Sequence, residues 1–164
     1  MRGLGAGDLE AMPLRQQISE ALKDAVKAQD RATTATLRLV CAALKDREIA
    51  ARSAGAGSNG IADAEVLDLL AKMVRQRDEA AEQYRTGGRP ELAERELNEI
   101  EVIRRFMPRQ LSEQETAAVV DHVIAETGAS GLKDMGRVMA ALKQSYPGQI
   151  DASQASALVK QRLA

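Results

Sequence analysis

The sequence predicts an all-α protein: a four-helix N-terminal part built as two helical hairpins, followed by a small three-helix C-terminal bundle. Three observations carry that expectation. Aromatic residues make up only 2% of 164 residues, against 45% apolar residues in all, whereas sheets draw on aromatic and β-branched side chains. Ala, Leu, Glu, Arg and Gln dominate, and all are good helix formers. Apolar residues return at three- and four-residue intervals, and no segment alternates for long enough to make a strand.

The elements follow in order. Leu14, Ile18, Leu22 and Val26, with Ala21 and Ala25 beside them, predict a first helix over 13–28. Asp30 can cap a second, which runs to about residue 52 with Leu37, Val40, Cys41 and Leu44 on one side. Residues 53–60, with three glycines and two serines, form a loop by composition. Asp63 opens a third helix, lined by Val66, Leu67, Leu70, Met73 and Val74, which stops at Gly87-Gly88. Pro90 stands where a first helical residue belongs, and Leu92, Leu97, Ile100 and Ile103 line the fourth helix up to Pro108. Ser112 with Glu115 three residues on reads as a capping box. Val119, Val120, Val123 and Ile124 line the fifth helix, and Gly128 ends it. A short sixth helix covers about 132–144, with Leu132, Met135, Val138, Met139 and Leu142 inside. Asp151 with Gln154 reads as a second capping box, of the Asp/Gln kind, at the head of a last helix holding Ala155, Leu158, Val159 and Leu163.

Pro108 marks the expected internal boundary, dividing 13–110 from 111–164. The first stretch holds 17 basic and 16 acidic residues, the second 5 and 6, so neither carries the bulk charge of a general nucleic-acid binder. Residues 1–12 contain Gly3, Gly5 and Gly7 and no apolar signal region; they are expected to be a disordered extension or an early start, with Met12 directly before the first helix. No apolar run approaches the roughly 18 residues of a membrane span. The single cysteine leaves no internal disulfide and no cysteine-rich zinc site. A cytoplasmic protein is expected, without contact with a membrane.

No catalytic, metal or cofactor centre is expected. His122 stands alone beside Asp121 and reads as a surface histidine. Cys41 shares its face with Leu37 and Leu44 and reads as a small core side chain. Gly87-Gly88-Arg89 is too short to cradle phosphates. Glu94, Glu96, Glu99 and Glu101 each have arginines within a turn and read as solvated helix pairs.

One positive feature stands out. Arg31, Arg38, Lys45 and Arg52 fall seven apart on the second helix, so successive members drift by only about 20°. They make one stripe about 31 Å long. It points roughly 130° away from Leu37, Val40 and Leu44 and so toward solvent. Lys27 extends it on the preceding segment. Lys72, Arg75 and Arg77 on the third helix are diluted by Asp78, Glu79 and Glu82. The stripe is either a solvated face, with Glu48 pairing to Lys45 or Arg52, or a rail for the phosphates of a folded RNA. Its spacing carries no base code.

Three stretches resemble a known family: Leu37-Arg38-Leu39-Val40 with Ala42-Ala43-Leu44-Lys45; Gly88-Arg89-Pro90-Glu91-Leu92 leading through Glu99-Ile100 to Phe106-Met107-Pro108-Arg109-Gln110-Leu111-Ser112; and Lys133-Asp134-Met135-Gly136-Arg137-Val138-Met139. In that order they resemble the GatB/YqeY family, small proteins similar to the C-terminal tail of the B subunit of the tRNA-dependent amidotransferase. The resemblance covers about 13–164. It implies a larger helical part and a small bundle, and a tail that grips the outer body of tRNA while the chemistry sits elsewhere in the enzyme. Lys133 and Arg137 match basic positions of the family's Asp-Met-Gly motif, and Lys143 follows them in the small bundle. Gly136 falls inside a helix, where a close helix approach or a backbone–ligand contact is expected. The family's later loop departs here: Gly148-Gln149-Ile150-Asp151-Ala152-Ser153 lacks both basic positions and the second glycine.

The expected function is therefore a non-catalytic module that interacts with tRNA, with an amidotransferase or tRNA-synthetase component as protein partner. Its contacts would be Arg31, Arg38, Lys45, Arg52, Lys133, Arg137 and Lys143. Two alternatives stand beside it. One is a protein–protein adaptor without RNA, favoured by the lost basic loop. The other is the glutamine-dependent carbon–nitrogen ligase activity that family members carry as a label.

Overall fold

The computed structural model describes residues 12–55 and 60–164. Apart from Met12, the N-terminal extension expected over 1–12 lies outside those residues, as do 56–59 of the expected loop. Among the described residues there are seven α-helices, one 3-10 segment and no strand. The helices are α1 Leu14–Lys27, α2 Arg31–Ser53, α3 Asp63–Thr86, α4 Pro90–Arg104, α5 Glu113–Thr127, α6 Met135–Ser145 and α7 Ala152–Leu163, with the 3-10 segment Leu132–Asp134 running into α6. The chain divides into two compact units between Phe106 and Met107.

In the first unit, α1 packs on α2, and α3 packs along α4, with α2 also touching α4 and α3. Leu37, Val40, Leu44, Val66, Leu70 and Ile103 are buried where these helices meet, with Ile18 of α1. Asp30 caps α2, its side chain accepting from the Thr33 backbone N–H at 3.1 Å. Pro90 is the first residue of α4. The start of α1 is tied to the start of α3, where the Leu14 N–H donates to Asp63 Oδ1 at 2.9 Å. Ala62, not Asp63, occupies the N-cap position of α3, so Asp63 satisfies an orphan donor of a different helix.

The face of α1 differs from the sequence expectation. Leu14, Ile18 and Ala25 are buried, but Val26 is half exposed. Four-residue steps advance about 40° each around a helix with 3.6 residues per turn. The walk from Leu14 to Val26 therefore leaves the core face, which returns through Ala25. Leu97 turns out at the rim of α4 for a similar reason.

In the second unit, α5, α6 and α7 pack on one another. Val120, Val123, Val138, Leu142, Ala155, Val159 and Leu163 form their core. Ser112 and Glu115 make the expected capping box in both directions. Gly128 ends α5 in the left-handed region at φ 68°, where a glycine carries no Cβ penalty. Asp151 caps α7 by accepting from the Ser153 and Gln154 N–H groups, but the expected box is one-sided, with no return bond from the Gln154 side chain. Leu132, expected inside, is half exposed, because the 3-10 turn it opens has three residues per turn and rotates it off the α6 face.

Candidate nucleic-acid interface

The residues of α2 alternate between core and solvent with helical regularity. Thr33, Thr34, Thr36, Leu37, Val40 and Leu44 are buried. Arg31, Arg38, Lys45 and Arg52 are all exposed, as their angular position requires. Among the described residues, none of the four makes an ion pair or a side-chain hydrogen bond.

Glu48, the carboxylate expected to neutralise Lys45 or Arg52, is engaged elsewhere. Its Oε1 accepts from Arg15 Nε of α1 at 2.8 Å. Both side chains are largely covered, which favours a fixed pair. Arg15 also donates to Ser19 Oγ at 2.8 Å and lies 3.8 Å from the sulfur of Cys41. Cys41 is accordingly half-buried beside a guanidinium rather than enclosed in the core.

The third helix adds little to the stripe. Arg77 Nε donates to Glu99 Oε2 of α4 at 2.8 Å and its Nη1 to the Met73 carbonyl. Arg77 therefore bolts α3 to α4, and Glu99 takes its partner from a neighbouring helix, not from its own turn. Burial, with the nearby charge of Glu99 second, raises the carboxyl of Glu96 above its ordinary range. A shallow groove at the end of α3, lined by Glu79, Glu82, Gln83, Thr86 and Gly87, presents carboxylates and would repel phosphate.

One contributor is absent from the sequence reading. Arg105, the residue after α4, is exposed and acts electrostatically on Asp30. It therefore lies near the N-terminal end of the stripe. The hydrogen bonds from Thr33 hold the Asp30 carboxyl below its usual range, and Arg105 assists. The Arg104-Arg105 doublet was the available signal, but its place beside α2 depends on tertiary packing. Lys27, at the end of α1, is exposed.

The second unit carries the other three candidates. Lys133 is exposed in the 3-10 segment, Arg137 in the first turn of α6 and Lys143 in its last. Arg137 Nη2 pairs with Asp134 Oδ1 at 3.3 Å, and Lys143 also has a partner. Asp134 accepts from the Ser130 N–H, which with Arg137 and Lys133 holds its carboxyl below the usual range. These cations are thus partly answered within their own unit, unlike the stripe on α2.

Gly136 has open space where a Cβ would stand, so no close helix approach explains it. The Met-Pro-Arg-Gln-Leu-Ser stretch has a structural role that the sequence did not disclose. The Leu111 N–H donates to the Gln149 carbonyl at 2.9 Å, and Gln110 Nε2 donates to the Gly148 carbonyl. It thereby clamps the turn that precedes α7.

His122 is exposed and lies 3.6 Å from Glu126. Among the described residues, no group of three or more His, Cys, Asp or Glu is placed to hold a metal ion. In the same residues, no helix is long and apolar enough to cross a membrane.

The chain is similar to two eukaryotic proteins. An uncharacterized protein of Schizosaccharomyces pombe is 31% identical over 99 residues, which are 60% of this chain and 76% of that protein. Altered inheritance of mitochondria protein 41 of Lachancea thermotolerans, named as mitochondrial, is 29% identical over 111 residues, covering 66% of this chain and 57% of that protein. The profile of the family described as Yqey-like protein matches residues 15–163, which take in the seven helices save Leu14 at the head of α1; the chain belongs to the Yqey-like protein family.

Proposed function

We propose that this chain is a non-catalytic module that interacts with tRNA and works alongside glutamine-dependent amidotransferase machinery. The observation that carries the reading is the row on α2: Arg31, Arg38, Lys45 and Arg52, exposed and without a carboxylate partner among the described residues. Free cations in a line neutralise successive phosphates and release their counterions. Lys133, Arg137 and Lys143 are secondary contacts. The 4+3 arrangement of helices, two hairpins and a bundle, is the proposed scaffold, and the cytoplasm is its proposed place of action.

The test is a titration of purified tRNA against the full chain over a range of salt. Each neutralised phosphate contributes a slope of about −0.7 to −0.9 in log affinity against log salt. The stripe should therefore give a slope near −3, and Arg38→Ala with Lys45→Ala should reduce its magnitude by about 1.5. Affinity that is absent at low salt, or a slope indifferent to those substitutions, would sink the reading. Amide formation from glutamine, ATP and mischarged tRNA by the purified chain would favour the ligase alternative instead.

A further inference from the structure

The exposed residues of α2 form a second pattern beside the cations. Ala32, Leu39, Asp46 and Ser53 fall seven apart, and Ala35, Ala42 and Ile49 lie between them at steps of three and four; all are exposed. Leu39 and Ile49, each 50% exposed, are the large apolar side chains of α2 that face solvent. Steps of three and four are those of a coiled-coil seam; here the seam is apolar from Ala32 to Ala42 and again at Ile49, with Asp46 interrupting it. In that register Arg31, Arg38, Lys45 and Arg52 each directly precede a seam position, along one flank. The opposite flank carries no charge: Thr36 at its head is buried in the first unit, Ala43 is half-buried and Ala50 is exposed.

Flanking charges choose the partner of such a seam. One flank here is wholly cationic, so a second α2 laid antiparallel would set cation against cation. A helix with carboxylates along its flank would meet all four. The small Ala35 and Ala42 permit a close approach of its backbone, and Leu39 and Ile49 supply the knobs.

We propose that the outer face of α2 docks an acidic amphipathic helix of a partner protein, which takes the same cations and so displaces RNA from them. The displacement rests on the RNA reading above; the docking does not.

The probe is a synthetic heptad peptide with leucine along its seam and glutamate on both flanks, compared with its lysine-flanked counterpart. Like charges keep each peptide from pairing with itself. The nuclease-treated full chain should bind the glutamate peptide at least about tenfold more tightly than the lysine peptide. Leu39→Asp with Ile49→Asp should abolish binding, and Arg38→Glu with Lys45→Glu should reverse the preference. Both pairs replace exposed residues, and circular dichroism checks that the helices persist. No binding, no preference between peptides, or binding that survives both variants would overturn the proposal. So would self-association of the chain that Leu39→Asp dissolves, since the occupant would then be a second copy. Peptide and tRNA bound together without competition would overturn the shared use of the cations. Failure of tRNA alone to bind would end the RNA reading while leaving peptide docking as measured.

Discussion

Single residues decide which charges are available and which are spent on structure. Glu115 is the clearest case of the second kind. Arg109 grips both its oxygens at 3.0 and 2.8 Å, and it also accepts from the Ser112 N–H. Led by the Arg109 hydrogen bond, these contacts lower its pKa from 4.5 to about 2. A carboxyl depressed in the folded state contributes stability above its unfolded pKa and loses it as the pH falls through the folded value. The contribution should therefore be full above pH 4.5 and gone by about pH 2. Glu115→Gln should melt at a lower temperature than the parent at neutral pH, and thermal melts at a series of pH values should show the two converging across that window. A constant gap down to pH 2 would mean that the charge is not what matters. Gly136 makes the opposite case. It sits in the first turn of α6 with nothing near its missing side chain. Gly136→Ala should stabilise the protein by about 0.5 kcal/mol through a less flexible unfolded chain. A loss of stability in denaturant titration would show that the glycine has a structural use; a loss of tRNA affinity alone would show a contact with ligand.

At the scale of the element, each helix is held by devices of two ranges. Local ones were legible in the sequence. The Asp30, Ser112 and Asp151 caps, Pro90 at the head of α4 and Gly128 at the end of α5 all stand where their chemistry placed them, because a cap involves only the next few residues. The outward direction of the α2 stripe was legible too, since it follows from the helix period alone. Long-range partners were not. Nothing near Glu48 in the chain points to Arg15, nothing near Arg77 points to Glu99, and nothing near Gln110 points to Gly148. Whether the stripe is free thus depended on a pairing that only the packing of α1 on α2 reveals. The Arg77–Glu99 bolt tests the weight of such pairs. The Arg77 side chain is only 14% exposed, so solvent screens the pair less than a surface bridge. Arg77→Ala should destabilise the first unit by about 1–2 kcal/mol, measured by chemical denaturation, while the tRNA salt slope stays unchanged. A reduced slope would make Arg77 a contact instead.

At the largest scale, each of the two units closes its own core. The first buries Ile18, Leu37, Val40, Leu44, Leu70 and Ile103; the second buries a separate set around Val120, Val138 and Val159. A unit as small as Met107–Ala164 buries a modest share of its surface and is marginal on apolar packing alone. Polar ties supplement that core: the Ser112 box within one turn, and across the unit the clamp on Gly148 and Gln149 and Arg162 on Asp121 at 2.8 Å. Distant sites without shared partners add independently. Val138 is fully buried at the centre of the second core, so Val138→Ala, which removes two methyl groups and leaves a void, should cost about 2 kcal/mol. That loss should fall on one of two calorimetric transitions, with the other unmoved. On the proposed reading, tRNA binding by the α2 stripe should be retained at temperatures between them, since α2 owes its shape to α1, α3 and α4. A single transition that shifts as a whole would show that the cores unfold as one, and the stripe would then depend on packing that neither unit supplies alone.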